Sequence, residues 1–145
     1  MYYLRALITI SFLSMITAAS AQDLTNHRWQ DRLIVIIAED GTHPTFLQQV
    51  QELQQDQDAL LERRLLIYQV LPQRFKVGVD DAGVWKDSPT LYEQFNTAKA
   101  PFQVLLIGLD GGVKLRKQTF TAQDDFFDLI DTMPMRRAEM RRKKN

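Results

Sequence analysis

The 145-residue chain contains no cysteine. Thiol–disulfide oxidoreductases and thiol peroxidases need a thiolate nucleophile, so both activities are excluded, as is any metal site built on cysteine. Disulfide bonds are excluded with them, and a domain of this size must owe its stability to a packed core.

Serine and histidine are scarce as well. The only serine after residue 21 is Ser88, and the sequence Asp87–Ser88–Pro89 is typical of a helix N-cap followed by proline in the first turn. The two histidines, His27 and His43, lie in no recognised metal-ligand spacing, so we expect no metal site and no cofactor.

The loop from Glu39 to Thr45 follows the first predicted strand and contains Asp40 and His43. We expect His43 to have a capping or surface role. The alternative is a site for an enzyme that works without cysteine, with or without the help of a metal ion.

Residues 1–21 have the pattern of a secretory signal peptide. Arg5 precedes an apolar run from Ala6 to Ile16, and small residues follow at positions 19–21. The apolar run is shorter than the roughly 20 residues that a membrane-spanning helix needs. We therefore expect a periplasmic or secreted protein with no transmembrane segment after cleavage.

Charge is unevenly distributed along a chain whose net charge is zero. Residues 135–145 carry a net charge of +5, and the rest of the chain after residue 21 carries −6. This pattern predicts that the basic C-terminus, ending in a tail at 141–145, contacts a protein or another anionic partner in the envelope. A solvated chain end is the alternative, and the acidic body disfavours nucleic acid.

The pattern of apolar residues predicts one α/β domain over residues 22–140. Continuous apolar runs predict buried strands, and apolar residues three and four apart predict helices. Asp110–Gly111–Gly112 predicts a hairpin turn instead of a phosphate-binding loop, since a strand follows it. The predicted order is β-α-β-α-β-β-α, with strands at Leu33–Ala38, Leu65–Leu71, Phe102–Leu109 and Val113–Gln118, and helices at His43–Asp58, Ser88–Asn96 and from Thr121 onward.

This order predicts a thioredoxin-like fold, a central mixed sheet flanked by helices. Pro101 precedes the third strand, where that fold usually carries a cis-proline. In the last helix, Thr121 and Asp124 have the spacing of a capping box, and Pro134 is expected to break or kink the helix.

Two stretches of the sequence resemble a known family. The first, residues 107–116, resembles its hairpin motif and includes Asp110, Gly111, Gly112, Lys114 and Arg116; the second, residues 126–140, resembles its C-terminal motif. Trp29 and Arg32 fit as well. The family is the bacterial domain of unknown function 4174, also found in animal extracellular proteins with sushi repeats. The resemblance implies a thioredoxin- or peroxiredoxin-like fold outside the cytoplasm and supplies no reaction.

The C-terminal motif is the strongest candidate for a partner-binding surface. Methionines beside arginines can form an adaptable apolar surface edged with charge. The candidate residues are Met133, Pro134, Met135, Arg136, Arg137, Glu139 and Met140. The alternative is that the methionines pack onto the domain and the arginines stabilise a helix end.

Our leading hypothesis is a non-enzymatic binding module of the bacterial envelope. The second is a cysteine-independent enzyme, or a relic of a peroxiredoxin-like protein, that uses the loop Glu39–Thr45.

Overall fold

The structure is a computed structural model that describes residues 24–144. The predicted signal peptide, residues 1–21, lies outside the described residues. None of the helices within 24–144 combines the length and the apolarity that crossing a membrane requires.

A six-stranded mixed sheet forms the centre of the molecule. Its strands are β1 (Arg32–Ala38), β2 (Leu65–Leu71), β3 (Arg74–Val77), β4 (Lys86–Asp87), β5 (Phe102–Ile107) and β6 (Val113–Lys117). They lie in the order β4-β3-β2-β1-β5-β6, with β1 and β2 parallel and the other neighbours antiparallel. Because β5 runs against β1, Ile107 pairs with Leu33, and the β5–β6 turn lies at the end of the sheet where β1 begins.

Five helices cover the two faces of the sheet. They are α1 (Pro44–Leu53), α2 (Gln57–Glu62), α3 (Pro89–Phe95), α4 (Gln123–Thr132) and α5 (Pro134–Lys144), and a 3-10 turn at Leu24–His27 precedes β1. Helices α1, α2 and α4 contribute to one apolar core, whereas α3 and the 3-10 turn contribute to the other.

Strand β1 belongs to both cores because successive side chains of a strand point to opposite faces. Its even-numbered residues Ile34, Ile36 and Ala38 pack in the first core, and its odd-numbered residues 33, 35 and 37 pack in the second. All seven residues of β1 are buried. The prediction of a strand buried on both faces, within an α/β domain whose mixed sheet is flanked by helices, is confirmed.

The helix predicted over His43–Asp58 is two helices in the structure. The chain turns between α1 and α2, and the Asp56 carboxylate accepts a hydrogen bond of 2.9 Å from the backbone N–H of Ala59. Aspartate is a favoured N-cap residue, so Asp56 starts a new helix where apolar spacing alone predicted continuation.

The predicted capping box at Thr121 and Asp124 is wrong. Helix α4 begins after Ala122, and its Gln123 N–H donates to the Glu52 carboxylate at 2.9 Å. A side chain from α1 therefore takes the role that the sequence assigned to a local residue. The peptide bond before Pro101 is trans, and no cis bond occurs within residues 24–144.

Candidate functional site

The loop after β1 holds Asp40 and His43, whose side chains form no hydrogen bond or ion pair with each other; the His43 N–H donates to the Asp40 carbonyl at 3.2 Å. An Asp40 carboxylate oxygen accepts a hydrogen bond of 2.9 Å from the backbone N–H of Thr42, and this bond holds the pKa of Asp40 below its usual range. The half-buried His43 ring stacks on Phe102, with 5.9 Å between ring centres. Its Nδ1 atom has no hydrogen-bond partner among residues 24–144. The loop therefore lacks the nucleophile and base in contact that covalent catalysis uses.

The other histidine is committed to the fold. His27 Nδ1 lies 3.0 Å from the Asp31 carboxylate, and its Nε2 lies 2.7 Å from the Tyr68 hydroxyl. The bond to Tyr68 ties the 3-10 turn to β2, and the bond to Asp31 ties it to the residue before β1. Within the described part of the chain, no three histidine or carboxylate side chains are close enough together to hold a metal ion.

The hairpin motif forms a tightly bonded turn between β5 and β6. Gly111 has a φ of 80°, a conformation that glycine adopts without strain. The Asp110 carboxylate accepts hydrogen bonds from the Gly112 N–H at 3.0 Å and from the Lys114 ammonium at 2.6 Å. The bond from Lys114 is the larger cause of the lowered pKa of Asp110. Arg116 lies further along and donates to the Phe95 carbonyl and to the Gln103 side chain.

The segment before β1 packs on this turn. The Trp29 N–H donates to the Leu109 carbonyl, and Arg28 donates to the Asp110 carbonyl at 2.8 Å. Trp29, Arg32 and the two resembling stretches thus lie at one end of the sheet, which we call the Arg32 end. The loop with His43 lies at the other end of β1, the His43 end.

Arg136 is the central charge of the C-terminal motif and is buried. Its guanidinium donates to the Asp131 carboxylate at 3.0 Å and to the Glu62 carboxylate at 3.1 Å. The hydrogen bond from Arg136 lowers the pKa of Glu62. Burial by itself raises the pKa of Asp131, but hydrogen bonds from Arg63 and Arg136 outweigh it and hold that pKa below its usual range.

A second buried arginine links α5 to the sheet. Arg63 pairs with Asp131 at 2.7 Å. Arg32, at 1% exposure, donates from both terminal nitrogens to the Glu139 carboxylate at 3.2 Å. Such two-point pairing is the strongest ion-pair geometry available to arginine. We call the set the arginine–carboxylate network: Arg32, Glu62, Arg63, Asp131, Arg136 and Glu139.

The predicted partner-binding residues therefore divide into two groups. Arg136 and Glu139 bind other residues of the domain, and Met133 packs against the first core. The others lie at or near the surface: Pro134, Met135, Arg137 and Met140. Of the network, Glu62 and Arg63 had no sequence signal, because the run Leu61–Arg64 has the composition of an ordinary helix end.

A cavity of about 490 Å³ opens where the hairpin meets the junction of α4 and α5. Leu109, Leu129, Met133 and Met135 supply apolar lining, and Arg32 lines it as well. Met135 is 43% exposed. We call this cavity the methionine cleft.

Beyond the methionine cleft, α5 presents a basic surface. The helix continues through residues 141–144, which were expected to form a tail. Lys143 lies 3.6 Å from Glu62. Four exposed basic residues form no ion pair within residues 24–144: Arg137, Arg141, Arg142 and Lys144.

Comparison with solved structures shows the fold. The chain is similar to the reduced 2-Cys peroxiredoxin of Plasmodium vivax, with a TM-score of 0.58 and 12% sequence identity. The similarity covers 79% of this chain and 72% of that one. At this identity it shows a thioredoxin-like fold alone, and in this chain that fold carries no cysteine.

Comparison with known sequences shows the family. No curated protein matches the chain. A family model described as a domain of unknown function, DUF4174, matches residues 23–139, which include the hairpin, the C-terminal motif and Arg32. The chain belongs to the DUF4174 family.

Proposed function

We propose that this protein is a non-enzymatic binding module of the bacterial envelope, which docks an acidic segment of a partner protein at the methionine cleft and the basic surface of α5. The observation that carries the proposal is the position of the four unpaired basic residues. They lie on the helix that begins at the methionine cleft, so one extended segment can meet an apolar pocket first and several positive charges next.

Charge complementarity gives the partner its chemistry. A row of exposed arginine and lysine side chains without internal partners attracts carboxylates and speeds their encounter. Methionine side chains are flexible and polarisable, so they accept apolar side chains of different shapes. An acidic segment with one or two apolar anchors meets both requirements.

The shape of α5 favours a protein over a bilayer as the partner. Helices that lie on membranes carry a broad apolar face, typically with tryptophan, phenylalanine or leucine. The only apolar side chains of α5 after its first residue are Met135, Ala138 and Met140. Its polar character suits the rim of a protein interface better than insertion among lipids.

Serine and histidine often act in catalysis, but the surroundings of Ser88 and His43 favour a binding role. The single serine of the domain, Ser88, is buried at the start of α3, where its hydroxyl lies 3.3 Å from that of Thr90. The His43 side chain forms no ion pair with a carboxylate in the described chain, and its Nδ1 atom has no hydrogen-bond partner there. Neither side chain has the base or orienting partner that would activate it.

Site-specific photo-cross-linking in the exporting host tests the proposal. A photoreactive residue at Met135 is compared with one at Val84, which is also exposed but lies on the β3–β4 connection. We expect the Met135 probe to capture a protein segment rich in aspartate and glutamate, identified by mass spectrometry, and the Val84 probe not to capture it.

Charge variants make the test selective. Arg141→Gln with Arg142→Gln should reduce the Met135 cross-link about tenfold, since losing two charge contacts costs about 1.4 kcal/mol of binding. The matched control is Lys86→Gln with Lys99→Gln, which removes two exposed charges from other surfaces and should leave the cross-link unchanged. Capture of a lipid, of a second copy of this chain or of a segment without acidic residues would contradict the proposal.

A further inference from the structure

A second cleft, separate from the methionine cleft, lies at the His43 end. It measures about 610 Å³, within the range of small-molecule sites, and lies between α1 and the strands β2 and β3. One wall is apolar and includes Phe46, Leu47, Val50 and Leu71. The charged groups that line it are two cations and two carboxylates: Arg74, Lys76, Asp40 and Asp81.

Lys76 is the most unusual residue of this cleft. It is 8% exposed, and its ammonium donates to the backbone carbonyl of Asp80 at 3.0 Å and lies 5.6 Å from the ring centre of Trp85. No carboxylate lies within 4 Å of that ammonium in residues 24–144. An ammonium has three N–H donors, and a buried charge is costly unless a counter-charge meets it. An anion in the cleft would supply that counter-charge.

Arg74 provides a second cation beside the first. Its guanidinium lies 4.7 Å from the ring centre of Trp85, and it too has no ion pair among the described residues. Contact with the ring face holds the guanidinium in the cleft without using its N–H donors. The edge of a guanidinium matches the two oxygens of a carboxylate.

The two aspartates limit the charge of the ligand. The Thr42 N–H holds the pKa of the Asp40 carboxyl below its usual range, and Asp81 is exposed. Both would repel a phosphate dianion more strongly than a singly charged carboxylate. The apolar wall needs a hydrocarbon body to cover it.

We infer that this cleft binds a small monocarboxylate with an apolar body, its carboxylate between Arg74 and Lys76 and its body against α1. The inference is independent of the docking proposed for α5, since no residue of the methionine cleft or of the basic surface lines this site.

Tryptophan fluorescence tests this site directly. The chain has two tryptophans, so Trp29→Phe leaves Trp85 as the only reporter. The probe is 4-phenylbutyrate, and 4-phenyl-1-butanol and phenyl phosphate serve as neutral and dianionic comparisons. We expect a saturable change of Trp85 fluorescence with the carboxylate. The alcohol should bind at least about tenfold more weakly because it lacks the charge. Phenyl phosphate should also bind at least about tenfold more weakly, because the two aspartates repel its second charge.

Variants of the two cations test which side chains bind the carboxylate. Arg74→Gln changes an exposed side chain, and Lys76→Met keeps most of the apolar length of a buried one; each should weaken phenylbutyrate binding about tenfold. Lys86→Met, on the exposed neighbouring strand, is the matched control and should bind as the parent does. Equal binding of acid and alcohol, an unaltered affinity in Arg74→Gln, or no saturable signal would overturn the inference.

Discussion

The two ends of strand β1 treat charge in opposite ways. At the Arg32 end, three arginines and three carboxylates pair with one another, and both terminal nitrogens of the almost fully buried Arg32 are bonded. At the His43 end, Lys76 is buried without a carboxylate, and His43 Nδ1 has no partner among residues 24–144. Each arginine of the network has a carboxylate partner, although the Nε atoms of Arg32 and Arg63 are buried without a hydrogen bond in the described residues. The buried ammonium at the His43 end has no carboxylate partner among those residues.

This difference separates structural charges from charges available to a ligand. A network of paired charges fixes the position of the elements it joins, and the arginine–carboxylate network joins β1, α2, α4 and α5. A buried charge without a counter-charge needs a separate explanation, and a bound ion is one of those that apply. The three segments that carry the family resemblance meet at the Arg32 end.

Breaking the network should give the largest effect. Glu139→Gln leaves the Arg32 guanidinium buried without a counter-charge, so we expect the free energy of unfolding to fall by about 3 kcal/mol. Urea denaturation at pH 7 measures it. Glu93→Gln is the matched control, because Glu93 is exposed on α3 and forms no ion pair within the described chain.

A double variant distinguishes charge burial from lost packing. Arg32→Met with Glu139→Leu replaces the pair by apolar side chains and should recover most of the lost stability. If Glu139→Gln lowers the free energy of unfolding no more than Glu93→Gln does, the Arg32–Glu139 pair does not stabilise the fold. The contrast drawn between the two ends would then be wrong.

Acid should weaken the Arg32 end more than the His43 end. Glu62 and Asp131 have pKa values lowered by their arginine partners, so the unfolded chain binds more protons than the folded one near the ordinary carboxyl pKa of about 4. Their stabilisation is present above that pH and is lost as the pH falls through the lower, folded values.

Two matched variants show which carboxylate is responsible for the loss of stability in acid. Between pH 7 and pH 3, Asp131→Asn should flatten the decline in unfolding free energy more than Asp40→Asn, because Asp131 is partly buried, whereas Asp40 is exposed and screened by water. Unfolding curves at a series of pH values measure this, and equal flattening in the two variants would argue against a stabilising role specific to the network.

Local patterns in the sequence predicted the elements well. The apolar runs located β1, β2 and β5, and the turn residues Asp110 and Gly111 located the hairpin. These predictions succeed because burial, strand alternation and turn geometry each depend on residues that are adjacent in the chain.

Contacts between distant segments were not predictable in the same way. Glu52 caps α4 from α1, and Glu62 binds Arg136 across 74 positions, although nothing near either glutamate marks it. The sequence indicated that the C-terminal motif is basic and rich in methionine. It did not show that Arg136 faces inward while Arg137 faces solvent, because that depends on how α5 packs.

The smallest predicted change in the free energy of unfolding concerns His43, at the opposite end of β1 from Arg32. His43→Phe keeps a ring on Phe102 and removes a buried nitrogen that has no hydrogen-bond partner in the described chain. Removing an unsatisfied polar atom is neutral or favourable, so we expect the unfolding free energy to stay the same or rise by up to about 1 kcal/mol. Urea denaturation of His43→Phe and of Glu139→Gln under the same conditions compares the two ends of β1 directly. A loss above about 1 kcal/mol would show that His43 has a hydrogen-bond partner in solution, and Lys76 alone would then distinguish the His43 end from the Arg32 end.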